Sequence, residues 1–298
     1  MSWLNRLIVT MLPGVPRSLV RRVAGRYFAG ETRESALDTV RSLNQKGAMA
    51  TLDVLGEEVK DPSKAQAAVD EYVHLFDAIA DQGLNANVSV KLTMLGLKID
   101  EDLCWENLVQ ICDAAQRHAN FLRLDMEDRT CTDATLRLYR RLFDRYANVG
   151  TVLQAYMRRT LGDIERLPEQ GANIRICKGI YIEPREAAWK GYDTVRQAFL
   201  AALEKMLRNG VYAGIATHDE FLVAGASALL DRYQTSEDLY EFQMLLGVDE
   251  QLRSILLKQH RLRVYVPYGV DWYAYSLRRM RENPEIAGHV TKAVLGLG

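Results

Sequence analysis

The sequence has no run of apolar residues approaching the roughly 20 that a membrane-spanning helix needs. It has only four cysteines, Cys104, Cys112, Cys131 and Cys177, and no C-x-x-C pair among them. That scarcity fits reduced thiols in a cytoplasmic protein, used as small buried hydrophobes, and gives no disulfide framework. The five histidines form no H-E-x-x-H and lie at no zinc-ligand spacing from a cysteine, so no metal site is expected. Neither G-x-G-x-x-G nor G-x-x-x-x-G-K-[ST] occurs, which removes the two common phosphate-binding loops. An excess of charge of one sign is missing too. Lys+Arg total 38 against Asp+Glu 39, a net charge of -1, without the basic surplus of a nucleic-acid binder. What is present is ordinary for a globular chain of 298 residues, with 48% hydrophobic and 26% charged residues.

Residues 1–45 read as an N-terminal helical arm. Trp3, Leu4, Leu7, Ile8 and Leu12 recur at helical spacing, with Arg6, Arg17, Arg21 and Arg22 between or after them. A signal peptide would need a longer apolar run, and Pro13 and Pro16 interrupt this one. Two readings stay open: an arm packed on the body, or an amphipathic contact with an anionic membrane surface.

The remainder, residues 46–298, alternates regularly. Short apolar or β-branched runs fall at 48–54, 86–92, 121–126, 151–156, 174–178, 214–217, 240–245 and 263–266. Between them lie stretches with helical periodicity. Val69, Val73, Phe76 and Ile79 share one face of a helix over 67–79, started by Asp61-Pro62-Ser63 and stopped by Gly83. A second runs over 133–146 with Leu136, Tyr139, Leu142 and Phe143 inward. Eight strands each followed by a helix predict parallel pairing with right-handed crossovers, closing into a single (β/α)8 TIM-like barrel of the α/β class. The alternative is a doubly wound open sheet.

A barrel places its active site at the C-terminal ends of the strands. Lys91, Asp125, Gln154, Arg175, Lys178, Thr217, His218, Gln243 and Tyr265 occupy those ends or the strands leading to them. Polar groups in otherwise apolar strands are costly unless they have work or partners there. Lys91, Arg175 and Lys178 outnumber Asp125, which predicts an electropositive mouth for an anionic ligand. Asp125, set between cations, suits a positioning or electrostatic role better than that of a proton acceptor. Beyond the last strand, Tyr275, Arg278, Arg279 and Glu282 are spaced by three and four, so one helix face carries them all. Paired arginines steadied by a glutamate make a fork for a small carboxylate, and the tyrosine a flat surface for its apolar body. A solvated charged helix would show the same spacing.

These residues, in this order, resemble proline dehydrogenase. The resemblance is carried by S-V-K-L-T around Lys91, R-L-D-M-E around Asp125, L-Q-A-Y around Gln154 and R-I-C-K-G-I-Y over 175–181. It continues through Ala216-Thr217-His218, E-F-Q-M-L-L-G from Glu241, Y-V-P-Y-G from Tyr265 and Y-S-L-R-R-M-R-E from Tyr275. It implies a distorted barrel with non-covalent FAD at the strand C-termini. It also implies oxidation of L-proline to Δ1-pyrroline-5-carboxylate, with the electrons passed to a membrane quinone. The length resembles monofunctional bacterial members, with a separate Δ1-pyrroline-5-carboxylate dehydrogenase as a further partner. By the same resemblance, Lys91, Arg278 and Arg279 bind the proline carboxylate, Tyr275 packs on the ring, and Tyr265 and Leu245 wall the pocket. Arg175 lies near the flavin N5, Asp125 acts beside it, and Met126, Gln154, Lys178, Gly179, Ile180, Thr217 and His218 hold FAD.

Two readings of the residues themselves compete with this one. A barrel lyase would use Lys91 or Lys178 as a Schiff-base nucleophile. A binding protein would take carboxylates at the same mouth without turnover.

Overall fold

The computed structural model describes residues 20–276 apart from 22–24, 57 and 168–170. The arm's apolar run from Trp3 to Leu12, and with it Arg278, Arg279 and Glu282, lies outside the described residues. The strands are β1 Met49–Val54, β2 Ala86–Val90, β3 Leu122–Leu124, β4 Val149–Gln154, β5 Asn173–Cys177, β6 Tyr212–Ala216, β7 Tyr240–Leu245 and β8 Leu262–Tyr268. Each pairs in parallel with the next, and β8 pairs with β1, so the sheet closes into the eight-stranded barrel expected.

The helices are α1 Arg33–Gln45, α2 Pro62–Asp81, α3 Glu101–Arg117, α4 Arg129–Phe143, α5 Thr160–Glu165, α6 Tyr192–Arg208, α7 Glu220–Arg232 and α8 Glu250–Leu256. Helix α2 starts as the sequence indicates. The Asp61 carboxylate accepts from the Ser63 N–H at 2.9 Å, and Pro62 occupies the first turn, where its missing N–H costs nothing. Asp100, Asp128, Asp219 and Asp249 cap α3, α4, α7 and α8 in the same way. These helix starts follow strand ends, so their unpaired N–H groups face the rim of the barrel.

Helix α1 precedes β1 and packs against both β1 and β8. It thereby lies on the wall where a helix following β8 would otherwise pack. The chain after β8 instead enters a new helix at Trp272, described as far as Ser276. Trp272 stacks on Phe28 with ring centroids 5.3 Å apart and planes 7° from parallel. The arm and the start of the last helix are therefore in direct contact.

Alternation along the strands divides the barrel into two environments. Leu52, Val88, Leu124, Ile176, Phe242 and Val264 are fully buried between strands and helices, the aliphatic layer that supplies most of the hydrophobic stabilisation. The opposite face is polar, and several of its bonds reach past the neighbouring strand, which only lumen-facing side chains can do. Arg123 on β3 donates to Thr151 O at 3.0 Å, Asn173 O at 2.8 Å and Asn173 Oδ1 at 2.6 Å. Burial, and after it the nearby Arg175 charge, pushes the Arg123 guanidinium down to about 9.

Such long side chains need room, and Gly150 on β4 provides it. A Cβ there would lie 2.5 Å from Asn173 O and 2.7 Å from Arg123 Nη1. Backbone cannot yield to that contact as a flexible side chain can. Gly150→Ala is expected to lower the urea unfolding free energy by about 2–3 kcal/mol. A denaturation midpoint equal to that of the unaltered protein would show that the lumen is looser than this.

Candidate active site

The C-terminal rim gathers the polar residues read from the sequence. Arg175, on β5, crosses the lumen. Its Nη1 donates to Asp125 Oδ1 at 2.7 Å, its Nη2 to Ser89 Oγ at 3.2 Å and its Nε to Gln243 Oε1 at 2.5 Å. Asp125 follows β3 and keeps the ladder going, its N–H donating to Val90 O at 2.9 Å. Its second oxygen accepts from the Tyr265 hydroxyl at 2.7 Å, while the Arg175 guanidinium sits 5.2 Å from the Tyr265 ring centre. Burial first, then the Asp125 and Asp53 charges, holds the Tyr265 phenol well above its ordinary value. The phenol keeps its proton and donates a hydrogen bond to Asp125.

Lys91, immediately after β2, donates to both Asp53 oxygens at 2.7 Å. The Asp53 carboxylate is 1% exposed. Burial pushes this carboxyl up, against the opposing pull of the Lys91 ammonium. Lys178, after β5, pairs with Asp219 at 3.2 Å, and Arg196 on α6 holds the same carboxylate through Nε at 2.9 Å and Nη2 at 2.8 Å. The mouth is therefore not the simple excess of cations expected. Among the described residues Lys91 faces Asp53, Arg175 faces Asp125, and Lys178 faces Asp219. A cation in the lumen has left water and requires a nearby counter-charge. Its partner sits on another strand, so a count of one strand end at a time misses it.

The remaining predicted residues take up positions around this centre. Gln154 ends β4 and is 3% exposed; its Nε2 donates to Glu127 O at 2.9 Å, and its Oε1 has no hydrogen-bond partner among the described residues. Such an acceptor is open to a donor from a ligand or a water. Thr217 and His218 follow β6, and His218 Nε2 accepts from the Leu245 N–H at 3.0 Å, so the neutral ring carries its proton on Nδ1. Met126 is buried beside Asp125, Leu245 ends β7 half-buried, and Gly179 and Ile180 lie in the loop after β5. Tyr275 is buried in the first turn of the last helix. No group of His, Cys, Asp and Glu suited to a metal ion occurs among the described residues.

Comparison with known proteins decides what family this site belongs to. The proline dehydrogenase family profile matches residues 36–292. Proline dehydrogenase 2 of Bacillus subtilis (strain 168) is 38% identical over 265 residues, covering 89% of this chain and 88% of that one. The proline dehydrogenase of Deinococcus radiodurans is 37% identical over 285 residues, covering 94% and 92%. The chain belongs to the proline dehydrogenase family. It is an oxidoreductase whose reaction is the oxidation of proline, the first step of proline catabolism.

The fold agrees. Proline utilization A of Bdellovibrio bacteriovorus, in a crystal structure of the protein inactivated by N-propargylglycine, superimposes with a TM-score of 0.82 at 21% identity. The match covers 92% of this chain and 36% of that one, so this proline dehydrogenase chain spans about a third of the larger protein.

Sequence reasoning missed Asp53, Ser89, Glu127 and Asp219. Asp53 is an acidic residue near the C-terminal end of an apolar strand, the same signal that exposed Lys91 and Asp125. Asp219 reads equally well as the N-cap of α7, which it also is: it accepts from the Phe221 N–H at 3.1 Å. Glu183, in the loop over 182–192 that carried no assigned role, is 4% exposed and accepts from the Arg129 N–H at 2.7 Å. It ties that loop to the start of α4.

Asp219 also makes a pH prediction. Burial acts to raise its carboxyl, but the hydrogen bonds from Arg196 and Lys178, with the Lys178 charge, outweigh it and hold the group well below the carboxylate range. Its stabilisation is fully present above an unfolded value of about 4 and is lost as pH falls toward the folded one. In urea titrations, Asp219→Asn is therefore expected to lower the midpoint at pH 6 while flattening its decline between pH 5 and pH 2. Parallel pH curves for the two proteins would contradict it.

Proposed function

We propose that this barrel mouth binds FAD non-covalently and oxidises L-proline to Δ1-pyrroline-5-carboxylate, with the electrons passing on to a quinone. The observation that carries the reading is the convergence of Arg175, Asp125 and Tyr265, from strands 5, 3 and 8, beside the Lys91–Asp53 pair at one rim. When bound, FAD supplies the hydride acceptor, and the protein has chiefly to orient the substrate against it. Gln154, with its spare buried acceptor, and Met126, Lys178, Gly179, Ile180, Thr217 and His218 are the residues assigned to hold it.

In this reading Lys91, Arg278 and Arg279 bind the proline carboxylate through charge-assisted hydrogen bonds. Tyr275, Tyr265 and Leu245 enclose the apolar ring and exclude water from it. Arg175, kept in place by Asp125, would set a fixed positive charge near the flavin N5, on the side that gains electrons. In the reaction a ring carbon–hydrogen bond would break with its electron pair going to the bound acceptor, the amine proton would go to water, and a carbon–nitrogen double bond would form. Phe28, in the arm, packs against Trp272 at the start of the last helix. We place the protein in the cytoplasm, with peripheral contact at the inner face of the membrane for quinone access, and a separate Δ1-pyrroline-5-carboxylate dehydrogenase taking the product. Among the described residues no helix is long and apolar enough to cross a membrane.

The Schiff-base alternative is disfavoured, because Lys91 is held by both Asp53 oxygens and Lys178 by Asp219, and an amine so paired is a poor nucleophile. The visible spectrum separates the readings. The purified protein is expected to show flavin absorbance that bleaches on adding proline without oxygen, and to reduce a quinone-like dye. A colourless protein that remains inactive after FAD is supplied would overturn the assignment. Arg278→Met and Arg279→Met are each expected to raise the proline KM, by a factor equivalent to about 2–4 kcal/mol for a desolvated charge pair. Unchanged steady-state kinetics in both would remove the carboxylate fork.

A further inference from the structure

We propose that Gln243, locked in orientation by Glu241, is the positioning residue that sets the Arg175 guanidinium in the barrel mouth. The inference deepens the flavin reading above and rests on it only for its kinetic consequence. Gln243, on β7, is 5% exposed and lies between two charged groups. Its Oε1 accepts from Arg175 Nε at 2.5 Å, and its Nε2 donates to Glu241 Oε1 at 2.6 Å.

A glutamine amide has a donor end and an acceptor end of nearly the same shape, and its surroundings decide which way it points. Here a carboxylate decides. Glu241 is 1% exposed, and its oxygens accept from Arg263 Nε at 2.7 Å, Arg263 Nη2 at 3.0 Å and the Tyr212 hydroxyl at 2.9 Å. Burial acts to raise this carboxyl, yet the Arg263 charge and bond prevail and hold it below its ordinary value. An ionised Glu241 only accepts, so the amide NH2 must face it and the amide oxygen must face Arg175. Reversal would set oxygen against carboxylate at one end and NH2 against guanidinium at the other.

The space around the amide is equally restrictive. A Cβ on Gly214 of β6 would stand 2.7 Å from Gln243 Nε2 and 3.3 Å from the Arg175 Cα. With Asp125 on Nη1, Ser89 on Nη2 and Gln243 on Nε, every nitrogen of the Arg175 guanidinium is engaged by the protein. Asp125 and Ser89 hold its tip; among the described residues Gln243 alone holds the Nε edge, which fixes the rotation of the plane. The orienting information thus runs from Arg263 and Glu241, deeper in the lumen, through one neutral amide to the rim.

Two variants and two measurements test this. Gln243→Leu keeps the bulk and removes the amide. In holoenzyme it is expected to lower kcat by about tenfold to a hundredfold, the scale of a misplaced reacting-centre group, with the proline KM within about twofold. Gln243→Glu restores the function conditionally. Protonated, its carbonyl accepts from Arg175 and its O–H donates to Glu241; ionised, it sets two carboxylates together. Its kcat relative to unaltered protein is expected to be near one at the acid end and to fall as pH rises. The second measurement is the arginine Nε–H region of the NMR spectrum of protein labelled with 15N-arginine, the Arg175 signal being identified by its loss in Arg175→Lys. That proton is expected to exchange slowly with water in the unaltered protein, fast in Gln243→Leu, and slowly again in Gln243→Glu at low pH.

An Arg175 signal equally protected in Gln243→Leu would overturn the proposal, as would a kcat unchanged in that variant. The exchange measurement does not depend on turnover. If the unaltered protein neither binds flavin nor oxidises proline, the flavin reading fails, while the Arg175 signal still decides the role of Gln243.

Discussion

A charge inside this barrel must bring its counter-charge with it, and that requirement shapes the rest of the molecule. Arg123, Arg175 and Arg263 point into the lumen together with Lys91 at its mouth, where water cannot screen them as it does at the surface. The chain answers with Asp53, Asp125 and Glu241, and with backbone carbonyls for Arg123. Lys91–Asp53 and Arg263–Glu241 join neighbouring strands, while Arg175–Asp125 and Arg123–Asn173 reach between β5 and β3 past β4. They act as crossbars, and a buried crossbar tolerates little displacement because breaking it leaves an uncompensated charge.

The usual barrel interior is packed with branched aliphatic side chains. Here the aliphatic residues line the outside of the strands, beneath the helices, and the lumen is filled by arginine, glutamine, glutamate, asparagine and tyrosine. Stability and chemistry are thereby assigned to opposite faces of the same strands. The outward face can be tuned for packing without touching the site. The inward face contributes less to stability per residue, since desolvation offsets much of what its ion pairs return, but it fixes the direction of each polar group. For an enzyme whose reaction depends on orientation, that direction is what the scaffold has to supply.

Much of this was legible from residue order. The short apolar or β-branched runs located all eight strands to within a few residues, because a strand packed beneath the helices must carry apolar side chains. Asp61-Pro62 marked the start of α2, since capping is a local interaction between residues two apart. Lys91, Asp125 and Arg175 stood out as ionisable residues in apolar runs. The partner of each was harder to see. Asp53 carries the same signal as Lys91 but lies on the first strand, and Asp219 has an adequate local explanation as a helix cap. Gln243 was visible only as one more polar strand residue.

Sequence by itself determined the alternation of strand and helix, the helix starts and which residues are too polar for their strands, because each of these depends on neighbours within a turn or two. It also placed the chain in its family, through an ordered series of short motifs. Tertiary structure alone decided that Lys91 meets Asp53, that Arg175 spans from β5 to Asp125 and Gln243, and that α1 occupies the wall between β8 and β1. The physical reason is closure. Joining β8 to β1 sets the stagger of every strand against the next, and only that stagger determines which inward side chains come within hydrogen-bonding distance across the lumen.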